Sequence, residues 1–149
     1  MTGRFETAAG PTLIDTSLWI EAFRRGGSSV ARQVVADIVE SGLALVNGLI
    51  VSELLKGARD EADYERLLTV LGATTTVGFT NATWARTARL GFELRRAGIT
   101  IPTVDLAIAS SALEEGFMLA HRDRHFTLIA AHAPLRERYA DPPTPPVLD

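Results

Sequence analysis

The stretch Leu13-Ile14-Asp15-Thr16-Ser17-Leu18-Trp19 joins two periodicities at a single acid. Thr12 to Ile14 is a short apolar run of strand character, whereas Leu18, Trp19, Ala22 and Phe23 recur at helical spacing. The same alternation continues outward from it. Gly26-Gly27 closes the first helix, and a second carries Val30, Val34, Val35 and Ile38. Leu43 to Val46 reads as a buried strand, followed by helices carrying Ile50, Val51, Leu54, Leu55 and Ala58, then Tyr64, Leu67, Leu68 and Leu71. The β-branched run Thr74 to Val77 predicts a third strand, and Thr80 or Asn81 can cap a long helix ending near Gly98. Thr103, as a cap, opens an alanine-rich helix that Gly116 stops. Phe117 to Ala120 predicts a strand, with a short helix after His125 and an edge strand over Leu135 to Tyr139. Short apolar strands alternating with helices predict an α/β sandwich, because each parallel connection needs a crossover.

Composition bounds the function. At 149 residues and 46% hydrophobic content, the chain is the size of one domain with a full core. A net charge of -3 supplies no overall basic field, so a nucleic-acid contact would need a local patch. All the lysine and arginine positions except Lys56 are arginine, a bias that base composition explains more readily than phosphate recognition. Without cysteine, any metal must be held by oxygen or imidazole. Met1 to Gly10 has no apolar leader core, and no run approaches the ~18 apolar residues of a membrane span. The expected location is the cytoplasm.

In open parallel sheets, ligands bind beyond the carboxyl ends of the strands. Four acids fall there: Asp15 after the first strand, Glu53 early in the helix after the second, Asp105 early in the helix opened by Thr103, and Asp123 after the strand ending at Ala120. Two such charges about 4 Å apart repel by roughly 4 kcal/mol at an effective dielectric of about 20. A hard divalent ion, Mg²⁺ or Mn²⁺, would offset that cost and suits phosphodiester hydrolysis, with one or two ions. Singly, each acid has a plainer explanation: Asp15 as a helix cap, Glu53 as a solvated helix residue, Asp105 as a partner of the helix dipole, which should keep it ionised, and Asp123 as a loop ion-pair partner. Thr16 and Ser17 are placed to orient Asp15 or to cap. His121 and His125 are candidates for acid–base work; His132 has nothing to recommend it. Arg122, Arg124, Arg95 and Arg96 are candidate phosphate contacts, although a solvated face is the simpler explanation for any one of them.

Ile14-Asp15-Thr16-Ser17, Val51-Ser52-Glu53-Leu54, Val104-Asp105-Leu106-Ala107-Ile108-Ala109 and Arg122-Asp123-Arg124-His125-Phe126, in that order, resemble PIN-domain ribonucleases, in particular VapC-type toxins of bacterial toxin–antitoxin pairs. The resemblance covers residues 12–139, leaving 1–11 as an N-terminal extension and 140–149 as a Pro-rich tail. It implies a three-layer α/β/α sandwich with a short, mainly parallel central sheet. It also implies a Mg²⁺- or Mn²⁺-dependent endoribonuclease with Asp15, Glu53, Asp105 and Asp123 as its acidic site. A homodimer and a VapB-like antitoxin whose C-terminal segment blocks the groove are further implications. One departure bears on the hydrogen bonding of Asp123: His121 stands where such proteins often carry a small hydroxyl residue.

The rival readings are a catalytically silent PIN-fold binding module, a stand-alone PIN nuclease without antitoxin, and an α/β phosphotransfer protein. Against the last, Ser17 stands where a haloacid-dehalogenase-like phosphatase needs a second acid, and no late lysine serves a receiver domain.

Overall fold

In the computed structural model, whose described residues are 10–144, Thr12–Ile14 forms β1, and all three of its residues are buried. A central strand covered on both faces has to be apolar throughout rather than alternating. The chain continues through α1 (Thr16–Phe23), α2 (Ser29–Glu40), β2 (Ala44–Asn47), α3 (Gly48–Lys56), α4 (Glu61–Leu71), β3 (Thr75–Val77), α5 (Asn81–Arg96), α6 (Thr103–Glu115), β4 (Met118–His121), α7 (Arg124–Ala130) and β5 (Glu137–Tyr139). The strands lie in the order β3-β2-β1-β4-β5, and every pairing is parallel, including that of the edge strand β5. The chain reverses direction across the sheet after β3, so the right-handed crossover rule assigns α1 to α4 to one face and α5 to α7 to the other, the expected three-layer sandwich; α1 packs on α2 and α3, α3 on α4, α5 on α6, and α6 on α7.

The core sits between these layers. Leu13, Ile14, Leu18, Trp19, Ile50, Ile108, Leu119 and Phe126 are fully buried. Trp19 also fixes the junction after β1, because its Nε1–H donates to the Ile14 carbonyl at 3.0 Å. Buried polar groups of this kind stay stable only when paired. Asn47 shows the same economy: its Oδ1 accepts from the Ile50 N–H at 3.0 Å and caps α3, while its Nδ2 donates to Ser111 Oγ at 3.2 Å.

Several boundaries differ from the sequence reading by one residue, each for a local reason. The residue before α6 is Pro102, with no side-chain cap, so Thr103 is the first helical residue rather than the cap. Strand β4 runs through His121, whose carbonyl accepts from the Ala140 N–H at 2.8 Å beyond the end of β5. Helix α7 begins at Arg124 because the Asp123 carboxylate caps it through the His125 N–H. Apart from Gly10 and Pro11, the N-terminal extension lies outside the described residues, as does the tail from residue 145.

Candidate metal centre

The chain lays down β2 and β3 on one side of β1, then returns to place β4 on the other. Connections leaving the carboxyl ends of β1 and β4 therefore diverge and open a crevice there. Asp15 follows the last residue of β1, and its N–H donates to the Ala120 carbonyl of β4 at 3.0 Å. Its carboxylate caps α1: Oδ2 accepts from the Ser17 N–H at 2.9 Å and from the Ser17 hydroxyl. That hydroxyl in turn accepts from the Arg122 N–H at 2.9 Å, so Ser17 links the ends of both strands. Thr16 has a different partner from the expected one, since its hydroxyl donates to Glu53 Oε1 at 3.0 Å. Capping and site formation are compatible here, because both Ser17 bonds fall on one oxygen of Asp15.

Asp15 is only 4% exposed. Burial pushes its carboxyl pKa from 3.8 up to about 6; the Ser17 hydrogen bonds oppose the rise, and the charges of Asp105 and Glu53 add to it. Asp105, in the first turn of α6, is likewise raised, chiefly by burial and also by Asp123, with His125 acting in the opposite direction. Desolvation, which disfavours the charged form, is the first cause of that rise.

Asp105 Oδ2 lies 2.8 Å from His125 Nδ1, which is 3.4 Å from Asp123 Oδ1. The His125 N–H donates to that same Asp123 oxygen at 2.9 Å. Donor atoms of Asp105, Asp123 and His125 all lie within 4.8 Å of one another. The structure thus brings together Asp15 with Glu53 through Thr16 and Ser17, and Asp105 with Asp123 through His125. Acidic oxygens predominate, and their repulsion is already felt at Asp15 and Asp105. The residues fit a hard divalent cation, whose charge would reverse that repulsion.

His121 accounts for the departure noted in the sequence. It is fully buried, and Nδ1 accepts from the Asp123 N–H at 3.1 Å, so the ring proton sits on Nε2 and is donated to Glu137 Oε2 at 2.6 Å. Burial lowers its pKa from 6.5, with Glu137 opposing the shift. The imidazole is therefore a neutral strut beneath Asp123, packed against Phe126 and Tyr139 with ring centroids 5.1 Å away in each case.

A PIN domain family model matches residues 12–132. The chain belongs to the PIN domain family. It is 33% identical over 121 residues to VapC ribonuclease Mb1587 of Mycobacterium bovis and to Ribonuclease VapC11 of Mycobacterium tuberculosis, covering 79% of this chain and 90% of each relative. These matches put the PIN domain among the VapC proteins. Its fold matches VapBC2 from Rickettsia felis bound to a DNA fragment from their promoter, with a TM-score of 0.70 and 19% identity over 87% of this chain and 98% of that one. FitAcB from Neisseria gonorrhoeae gives a TM-score of 0.71 at 19% identity, over 85% of this chain and 95% of that one.

Around the acids, this PIN domain uses its arginines unequally. Arg122 is turned inward: Nη1 lies 2.9 Å from Glu21 Oε1, Nη2 donates to the Asp141 carbonyl at 3.0 Å, and Nε is buried without a hydrogen bond. It ties the start of α7 to α1 and to residue 141, which removes it from the candidate phosphate contacts. Arg124, Arg95 and Arg96 are exposed, with the Arg96 guanidinium 5.6 Å from the centroid of the Phe92 ring. His132 bonds only within its own neighbourhood, to the Leu128 carbonyl at 3.1 Å. The residue to which sequence reasoning gave too little weight is His125, whose signal was its position beside Asp123 at a helix start.

Proposed function

We propose that this PIN domain is a metal-dependent endoribonuclease, the toxin of a toxin–antitoxin pair, with Asp15, Glu53, Asp105 and Asp123 as its acidic site. The reading is supported by the donor atoms of Asp105, Asp123 and His125 lying within 4.8 Å of one another, by the charges of Asp105 and Glu53 felt at Asp15, and by relatives named as ribonucleases. Asp15 and Asp105 would hold Mg²⁺ or Mn²⁺ directly, with Glu53 and Asp123 completing the site directly or through water. A bound ion supplies Lewis acidity, making a water more acidic and offsetting charge on the phosphoryl oxygens. The chain's own residues orient the donors: Ser17 holds one Asp15 oxygen, Thr16 holds Glu53, and the α7 backbone holds Asp123. Labelled RNA should be cut internally in Mg²⁺ or Mn²⁺, with cleavage lost in EDTA and restored by excess ion. Undiminished cutting in chelator would refute the metal-dependent reading.

Two features of the surface support the proposed partners. A groove of about 760 Å³ bordered by α1 to α4 is lined by apolar Phe23, Leu54 and Leu67 together with Arg25, Arg32 and Glu53. An amphipathic segment of a VapB-like antitoxin suits this groove, and occupying it would obstruct the acids. On α5, Trp84 and Phe92 are 46% and 50% exposed, a face suited to a second copy and hence to a homodimer. RNA as substrate puts the activity in the cytoplasm; among the described residues, no helix is long and apolar enough to cross a membrane. Co-purification with the product of the adjacent reading frame, followed by mass measurement, tests the assembly. Arg32→Glu should release that partner and Trp84→Glu should halve the toxin mass; retention of both properties would move these interfaces elsewhere.

A further inference from the structure

We propose that His125 is a nitrogen ligand of the ion, acting with Asp105 and Asp123, and that it biases the site toward Mn²⁺ over Mg²⁺. The inference rests on the reading that the acids hold a divalent cation, and it adds the identity of a donor outside the four carboxylates. Nδ1 of His125 lies between two acidic oxygens, 2.8 Å from Asp105 Oδ2 and 3.4 Å from Asp123 Oδ1. Those separations are of the size found between neighbouring ligand atoms around a single ion with bonds of 2.0–2.2 Å. The ring is held there by its own backbone, because the His125 N–H donates to the Asp123 carboxylate that caps α7. Without an ion, Nδ1–H donates to the Asp105 carboxylate at 2.8 Å; binding the ion at Nδ1 would replace that bond and move the ring proton to Nε2, on which no hydrogen bond from a described residue falls. His121 is not an alternative donor, since both of its nitrogens are engaged with Asp123 and Glu137.

The chemistry of the donor decides the preference. Mg²⁺ demands oxygen ligands in near-ideal octahedral geometry and gives up its waters reluctantly, whereas first-row transition ions accept imidazole. An oxygen-only site would owe any preference to charge and size, but a site with one imidazole gains for Mn²⁺ a bond that Mg²⁺ gains little from.

Titration calorimetry of the whole chain with MnCl₂ and separately with MgCl₂, together with pulsed electron paramagnetic resonance of the Mn²⁺ form, tests this without reference to cleavage. Expected are ¹⁴N modulation from one directly bound histidine and Mn²⁺ binding at least tenfold tighter than Mg²⁺. His125→Asn should lose the modulation and weaken Mn²⁺ about tenfold while changing Mg²⁺ less than threefold, in a protein whose circular dichroism is unchanged. Mn²⁺ bound without ¹⁴N modulation, or an equal loss for both ions in His125→Asn, overturns the proposal, the second result assigning His125 to positioning Asp123. Wild-type chain that binds neither ion would instead overturn the cation reading beneath it.

Discussion

Replacing Asp15 by Asn should make the metal-free protein more stable at pH 7.5 and at the same time abolish its cleavage of RNA. The stability gain comes from the buried charge. Asp15 is 4% exposed and its carboxyl pKa is raised from 3.8 to about 6. A group whose pKa rises on folding stabilises the folded state while it is protonated in both states and ceases to do so as it ionises. Wild-type stability should therefore fall between about pH 4 and pH 6 and stay low above that. At about 1.4 kcal/mol per pH unit the full effect is about 3 kcal/mol, or roughly 6–12 °C in Tm for a domain of this size. Asn keeps an oxygen for the Ser17 N–H and remains a good cap, so the charge alone is removed. The gap between wild type and Asp15→Asn should be near zero at pH 4, open through pH 6, and close again when Mn²⁺ is added to the wild type. Cleavage should fall by roughly 10³-fold, as expected when several kcal/mol of transition-state charge stabilisation is lost. Thermal scans from pH 4 to 8, with and without Mn²⁺, check the first part. If Asp15→Asn is no more stable than wild type at pH 7.5 and still cleaves RNA, Asp15 is a cap and nothing more.

That test separates two roles the sequence could not. Asp15 at a strand end and helix start was legible because strand and helix periods change at that residue. Its buried, charged setting was not legible, because it depends on β4 lying beside β1, a pairing between segments about a hundred residues apart with no local mark. Sequence order likewise suggested that Thr16 or Ser17 would hold Asp15, and Ser17 does. The Thr16 hydroxyl instead reaches Glu53, which only the packing of α1 against α3 brings near. Arg122 illustrates the opposite error. Within His121-Arg122-Asp123-Arg124-His125-Phe126 it looks like part of a solvated polar loop, yet Glu21 and the carbonyl of residue 141 draw it inward. The buried strands β1, β2 and β4 were readable to within a residue because they are short and mainly apolar, whereas the edge strand β5 starts two residues later than its alternation suggested. Polar residues at their ends could not be resolved, since a side chain that faces a distant partner has the same sequence as one that faces water.

His121→Ala should be the most destabilising single change at the site, costing about 3–5 kcal/mol. Truncating a fully buried ring of this size leaves a cavity, and the loss of its two bonds leaves the Asp123 N–H without its acceptor and Glu137 without its donor. Phe126 and Tyr139 also lose the ring they lean on, which loosens the join between α7 and β5. The cost should shrink in acid, because the lowered pKa of buried His121 means that its contribution is present above pH 6.5 and fades as the pH falls through that value. Two isosteric variants divide the strut into its halves. His121→Asn presents an oxygen near the position of Nδ1 and keeps the acceptor for Asp123, whereas His121→Gln presents an amide near Nε2 and keeps the bond to Glu137. If the ring matters to the site by holding Asp123, the Asn variant should retain most of the cleavage rate per folded molecule and the Gln variant should lose about tenfold. Both should be less stable than wild type in urea titrations. Equal rates in the two variants would confine His121 to the core, and a cost below about 1 kcal/mol for His121→Ala would remove even that role.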